Sequence, residues 1–186
     1  MINGYFVAVD ELLREVEGVL GGEFSALEIG CGEGHSTKRI LEVLPEGVDF
    51  AASEFVEHQV ELASANNPGV MISSEDVYSL QREDDSLDCV LLLEVLEHLD
   101  EPAVALHEIR RVLRPGGCLL LGVPREPLWR ILNMARLTYL SSLGNTPGHL
   151  QHWSSRGIAR FVSTEFGAVI STRRPVPWTL LMARVD

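Results

Sequence analysis

The chain is short of cysteine, of basic residues and of long apolar runs, and each shortage excludes something. Its 186 residues include only Cys31, Cys89 and Cys118. They form no CxxC pair, and an odd number of thiols does not suggest a disulfide framework. A reducing cytoplasm is therefore the expected compartment. No apolar run approaches the ~20 residues needed to cross a bilayer; the longest are strand-like, such as Cys89 to Leu93. Met1 to Phe6 carries no basic region, and Asp10 and Glu11 follow at once, so no signal peptide is expected. With 15 Lys and Arg against 27 Asp and Glu, the formal net charge is −12. A field of that sign repels phosphate backbones and makes nucleic acid a poor partner. Two local arginine groups, Arg110 with Arg111 and Arg114, and Arg125 with Arg130 and Arg136, lie in the less acidic C-terminal half.

What remains is the composition of an ordinary globular protein, 46% hydrophobic and 23% charged. The length suits a single domain over residues 1–186. Short apolar runs alternate with helical patterns, which predicts a mainly parallel sheet covered by helices. An opening helix is expected over 9–20, closing an N-terminal segment of residues 1–22. Strands are expected at Ala26–Gly30, Val48–Ser53, Val70–Ser73, Leu87–Leu93 and Cys118–Val123. Helices are expected at Ser36–Leu44, Val56–Ala65, Pro102–Leu113, 127–143 and Ser154–Phe166. Two closing strands, Ala168–Arg173 and Trp178–Val185, have no helix between them, so one of them must run antiparallel.

The densest chemical signal is Leu27-Glu28-Ile29-Gly30-Cys31-Gly32-Glu33-Gly34, directly after a strand and before a helix. Gly30 and Gly32 permit positive φ and a close approach of backbone to ligand. The third glycine comes too early for the GxGxxG of dinucleotide sites. Glu28 is placed to orient the loop and to attract a cationic ligand. Glu54, about twenty residues beyond the loop, ends the second strand, where a carboxylate can accept both hydroxyls of a ribose. After the third strand, Glu75 and Asp76 follow, and Asp76 can accept an exocyclic adenine amine. Phe55 and Val77 can wall the ring.

Taken in order, Leu27–Gly34, Glu54, Asp76, Asp88–His98 and Leu113-Arg114-Pro115-Gly116-Gly117 resemble the successive motifs of class I S-adenosylmethionine-dependent methyltransferases. The similarity is greatest to the small-molecule branch of type 11 and quinone O-methyltransferase-like enzymes. The resemblance implies a Rossmann-like α/β fold: a doubly wound seven-stranded sheet, mostly parallel, with an antiparallel last strand and helices on both faces. It implies S-adenosyl-L-methionine as cofactor and S-adenosyl-L-homocysteine as product. By the same carry-over, Gly30, Cys31 and Gly32 line the methionine and ribose, Glu54 holds the ribose, Asp76 the adenine, and Leu93 and Glu94 lie beside the sulfur.

Two further groups stand apart. In Leu93-Glu94-Val95-Leu96-Glu97-His98-Leu99, a helical turn puts Glu94, Glu97 and His98 on one face. The ExxEH spacing is also similar to the metal-binding segment of small-RNA 2′-O-methyltransferases. With His149 or His152 these residues can hold a hard divalent ion. The favoured reading is metal-free, with the Glu-His pair ordering the loop beside the cofactor. His149 and His152, in Gly148-His149-Leu150-Gln151-His152-Trp153, are candidate acceptor-side bases. Residues 124–153 are expected to form an acceptor-side insertion or lid, and its apolar helix suggests a hydrophobic or aromatic small-molecule acceptor. Cys31 is read as a small residue without a redox role. Alternatives kept open are a non-catalytic cofactor-binding accessory subunit and a methyltransferase acting on a macromolecule. The chain is expected to be a monomer or homodimer.

Overall fold

The computed structural model describes residues 2–186. Seven strands, β1 (Ser25–Ile29), β2 (Asp49–Glu54), β3 (Met71–Ser74), β4 (Leu87–Leu93), β5 (Leu113–Pro124), β6 (Ala168–Arg173) and β7 (Trp178–Arg184), form one sheet in the order β3-β2-β1-β4-β5-β7-β6. β1 pairs in parallel with both β2 and β4, and β5 with β4. β7 runs antiparallel to β5 and to β6. The sheet is therefore mixed, as the closing hairpin required. Among the described residues, six helices cover it: α1 (Ile2–Leu20), α2 (His35–Leu41), α3 (Glu57–Asn66), α4 (Pro102–Val112), α5 (Leu128–Ala135) and α6 (Ser155–Glu165).

The period of two along each strand sends alternate side chains to opposite faces. Leu27, Val90, Leu92, Leu119 and Leu121 pack beneath Leu106 and Ile109 of α4 and Ile158 and Val162 of α6. Their neighbours Ala26, Cys89, Leu91, Cys118 and Leu120 pack against Leu12, Leu13 and Val16 of α1 and Ile40 of α2. β4 is buried on both faces, which is why it reads as an uninterrupted apolar run. α3 covers β2 through Ala63, which meets Ala52 and Cys31.

Three boundaries differ from expectation. α1 begins at Ile2, well before residue 9, because Tyr5 and Ala8 already face the core. β5 starts at Leu113, which pairs with Leu87, so the Pro115-Gly116-Gly117 turn is built into the strand's first half. The apolar stretch 127–143 is helical only over Leu128–Ala135, with a short 3-10 turn at Leu140–Ser142. Leu137, Tyr139 and Leu143 adopt positive φ of 58°, 54° and 50°, which no α-helix accommodates. Buried Asn133 donates to the Gly144 carbonyl at 2.9 Å and to Thr146 Oγ1 at 3.2 Å, drawing the following loop back across α5. The last helix starts where Ser154 caps it, its hydroxyl accepting from the Gly157 amide at 3.1 Å.

Asp88 ties three strands at their leading ends. It accepts from the Ser25 amide (2.9 Å) and hydroxyl (2.8 Å) and pairs with Arg114 at 2.5 Å. Burial pushes its carboxyl up, but Arg114 and the two Ser25 donors outweigh that and hold it below the usual carboxylate range. A depressed folded-state pKa contributes stability that is present above the unfolded value and lost as pH falls through the folded value. Asp88→Ala is therefore expected to destabilise the fold by about 1–3 kcal/mol at pH 7. In urea unfolding, the gap from wild type should narrow steadily once the pH drops below about 4.

Candidate active site

The glycine loop owes its shape to what lies around it. Gly30 has φ of 74°, and a methyl group there would sit 2.5 Å from Val95 Cγ2. Gly32, at φ 56°, has nothing within 4 Å of that position, so its backbone faces open space. The Gly30 and Cys31 amides both donate to the Ser53 carbonyl, at 2.8 and 3.0 Å, which anchors the loop to β2. Glu28 lies beneath it, buried, accepting from Thr37 Oγ1 at 2.6 Å. It fastens the loop to α2 and does not reach the cleft. Burial raises its carboxyl pKa against the opposing Ser36 and Thr37 hydroxyls.

Above the carboxyl ends of β1, β2 and β4 opens a cleft of about 600 Å³. Of the residues singled out from sequence, Gly30, Gly32, Glu54, Phe55, Glu75, Asp76, Val77, Glu94 and His98 line it. Glu54 is nearly buried; its Oε2 accepts from the Gly32 amide at 2.9 Å, and its Oε1 from the Phe55 and Val56 amides at 2.8 and 3.0 Å. One acceptor position on Oε2 is left over, since a carboxylate offers about four. Asp76 uses Oδ1 on the Tyr78 amide at 2.9 Å, in a tight turn that keeps Oδ2 free of protein donors. Glu75 is spent on structure, pairing with Arg82 at 2.6 Å and accepting from the Gln81 amide at 3.1 Å. Burial raises its carboxyl, and Arg82, Ser73 and Gln81 more than offset this.

Cys31 is not part of the cleft wall. It packs against Ala52 and Ala63, and burial pushes its thiol up to about 12, so no thiolate forms there at neutral pH. Leu93 lines a second cleft instead, of about 540 Å³, together with Tyr5, Phe6 and Trp178, the polar Ser36, and His35 and Arg39 at its wall. Glu94 lines both clefts. It has φ of 60°, uncommon for a residue with a side chain and typical of functional sites. Its Oε2 accepts from Trp178 Nε1 at 2.8 Å, while Oε1 is buried without a partner. Burial raises the Glu94 carboxyl above its ordinary range against the pull of that indole, and burial followed by the Glu94 charge raises Glu97.

His149 is buried, with its ring 4.9 Å edge-on from His98 and 6.0 Å from Trp129. Burial, and then the charges of His98 and His152, lower its pKa to about 4 and keep it neutral. His152 is exposed and pairs through Nε2 with Asn145 Oδ1 at 2.7 Å. Neither histidine lines either of these two clefts. Sequence reasoning missed Trp178, Tyr78, Gln59 and Arg39. Trp178 sits 84 residues from the Glu94 it bonds, and no motif links the two.

Residues 27–121 match the methyltransferase domain family. An uncharacterised 37.1 kDa protein of transposon TN4556 from Streptomyces fradiae is 39% identical over 113 residues, covering 59% of this chain and 32% of that protein. A demethylmenaquinone methyltransferase of Paenarthrobacter aurescens is 30% identical over 109 residues, covering 57% of this chain and 42% of its own. The chain thus spans less than half of the length of these relatives. The crystal structure of an S-adenosylmethionine-dependent methyltransferase from Aquifex aeolicus superposes with a TM-score of 0.72 at 15% identity, covering 95% of this chain and 89% of that one. At that identity the likeness is one of fold.

The contrast between the two loop glycines is testable without any ligand. Gly32→Ala should cost about 1–2 kcal/mol, the backbone penalty of a side chain at positive φ. Gly30→Ala carries the same penalty plus the clash with Val95, so it should unfold at clearly lower urea than Gly32→Ala.

Proposed function

The chain belongs to the methyltransferase domain family, and we propose that it moves the methyl group of S-adenosylmethionine to a small hydrophobic or aromatic acceptor. The single observation that carries this reading is the pair of clefts that meet at Glu94. One combines bare backbone and carboxylates with apolar side chains at the strand ends, as a nucleoside with an amino-acid tail requires. The other is walled mainly by aromatic and aliphatic groups.

The residues of the first cleft fit the cofactor. The open face of Gly32 admits a backbone-close ligand, the unused position on Glu54 Oε2 is an acceptor for a ribose hydroxyl, and Asp76 Oδ2 is an acceptor for the adenine amine. Phe55 and Val77 supply apolar walls for the ring. When bound, S-adenosylmethionine supplies an electrophilic methyl group on a sulfonium sulfur. The protein's part is then alignment and exclusion of water. Tyr5, Phe6, Leu93 and Trp178 desolvate the acceptor, and Glu94 marks the boundary across which the methyl must pass. Transfer to a hydroxyl acceptor also releases a proton; a phenolic acceptor that enters ionised has already passed it to water, so the reading assigns no proton transfer to His152, which is turned toward Asn145.

Two facts favour an apolar small acceptor over a polyanionic one. The net charge of −12 repels phosphate backbones, and one relative is named a demethylmenaquinone methyltransferase.

The test is calorimetric titration of cofactor-stripped protein with S-adenosylhomocysteine. Wild type should bind in the micromolar range. Glu54→Gln and Asp76→Ala should each weaken binding at least tenfold, about 1.4 kcal/mol. Phe6→Ala, at a residue that lines the second cleft and not the first, should leave that affinity within about threefold while lowering turnover of phenolic or hydroquinone acceptors. Folded wild-type protein that does not bind S-adenosylhomocysteine contradicts the proposal.

A further inference from the structure

The second cleft holds two polar groups, one deep and one at the rim, that alignment and exclusion of water do not use. The deep one is the hydroxyl of Tyr5. Tyr5 is buried, and its Oη has no hydrogen-bond partner. The oxygen rests against β5, where a methyl group on Gly122 would sit 2.5 Å from it. Burial, and then the charges of Glu94, Glu97 and Glu28, push the pKa of the phenol up, so the hydroxyl keeps its proton and is a donor. A buried hydroxyl left unpaired costs free energy, so a ligand atom that accepts from it is held the more tightly.

The group at the rim is Arg39 of α2. It is about half exposed, with its guanidinium carbon 5.4 Å from the centre of the Phe6 ring. That contact holds the cation against the cleft wall. Arg39 also pairs with Glu42 at 3.1 Å, but both partners are half exposed, and such pairs contribute little. A guanidinium has several N–H donors, so some remain for a ligand. Between rim and floor stand aromatic rings. Tyr5 meets Phe6 and Trp178 edge-on, with ring centres 5.3 and 5.1 Å away. Trp178 gives its indole N–H to Glu94 and so offers a ligand only its ring.

We propose that the acceptor taken by this cleft is an aromatic hydroxy acid, with its hydroxyl on Tyr5 and its carboxylate on Arg39. Charge sets the orientation. Glu94, at the deep end, offers a carboxylate no cation, whereas Arg39 offers a planar fork matched to one. The hydroxyl therefore enters first and comes beside Glu94, where the two clefts meet. The net charge of −12 repels anions at long range, so selection for an acid falls to Arg39 at contact. This acceptor class rests on the methyl-transfer reading, since it requires the cofactor in the first cleft. The amino-acid tail of S-adenosylmethionine also carries a carboxylate, and the titrations below separate the two sources.

Protein saturated with S-adenosylhomocysteine is titrated with hydroxybenzoates, hydroxyphenylacetates and hydroxycinnamates, each beside its neutral primary amide. At least one acid should bind about tenfold tighter than its amide. Arg39→Gln should erase that preference and leave S-adenosylhomocysteine affinity within about threefold. Arg14→Gln, at an exposed arginine of α1, should behave as wild type does. Tyr5→Phe should weaken binding of the preferred acid about fivefold, yet leave the urea midpoint of the free protein no lower, because it deletes an unpaired hydroxyl. A purely structural Tyr5 hydroxyl would lower that midpoint and leave acid binding unchanged, which overturns its role here. Turnover of the preferred acid should yield the aryl methyl ether. Protein that binds S-adenosylhomocysteine but prefers no acid over its amide overturns the acceptor class and leaves the methyltransferase reading intact. A methyl ester product overturns it as well. So does an Arg39→Gln variant whose main loss is in S-adenosylhomocysteine affinity, which assigns the guanidinium to the cofactor's own carboxylate. Folded protein that binds no S-adenosylhomocysteine removes both readings.

Discussion

The candidate site depends on one carboxylate used as a backbone clamp. Glu54 accepts from the amides of Gly32, Phe55 and Val56, and so joins the loop after β1 to the turn after β2. Loops at strand ends carry many unpaired amides, and a charged acceptor satisfies several of them at once. The neighbouring strands β1 and β2 set the distance that Glu54 must bridge. With the loop fixed in this way, Gly32 presents bare backbone to the cleft, and Gly30 can rest against Val95 just past the carboxyl end of β4.

The same economy governs the far side of the cleft. Glu75 and Asp76 are adjacent carboxylates with different duties. Glu75 is consumed by Arg82 and holds the 75–82 segment closed, while Asp76 spends only one oxygen on a turn. Glu28 likewise works under the glycine loop and not in the cleft. Acidic residues at strand ends in this fold thus divide into those that shape the backbone and those that face a ligand. Adjacency in sequence does not tell them apart; their hydrogen-bond partners do.

Much of this arrangement was legible in the sequence, because it is written in local patterns. The glycine spacing after β1, the uninterrupted apolar run of β4 and the helix-free closing hairpin each have a short-range physical cause, and the structure has all three. What could not be read depends on distant contacts. The break of α5 at Ala135 comes from Asn133 reaching to Gly144 and Thr146, whereas the apolar pattern over 127–143 is compatible with a continuous helix. The second cleft joins Tyr5 and Phe6 from α1 to Trp178 from β7, residues at opposite ends of the chain. The unpaired Tyr5 hydroxyl becomes evident only when burial is known, since a tyrosine this near the start of the chain is equally a surface residue.

The most direct test of the account is a crystal structure of the protein grown with S-adenosylhomocysteine. The account predicts adenine between Phe55 and Val77 with its amine on Asp76, ribose on Glu54, and the sulfur beside Glu94, facing the aromatic cleft of Tyr5, Phe6 and Trp178. A ligand lodged elsewhere, or a sulfur turned away from that second cleft, would contradict it.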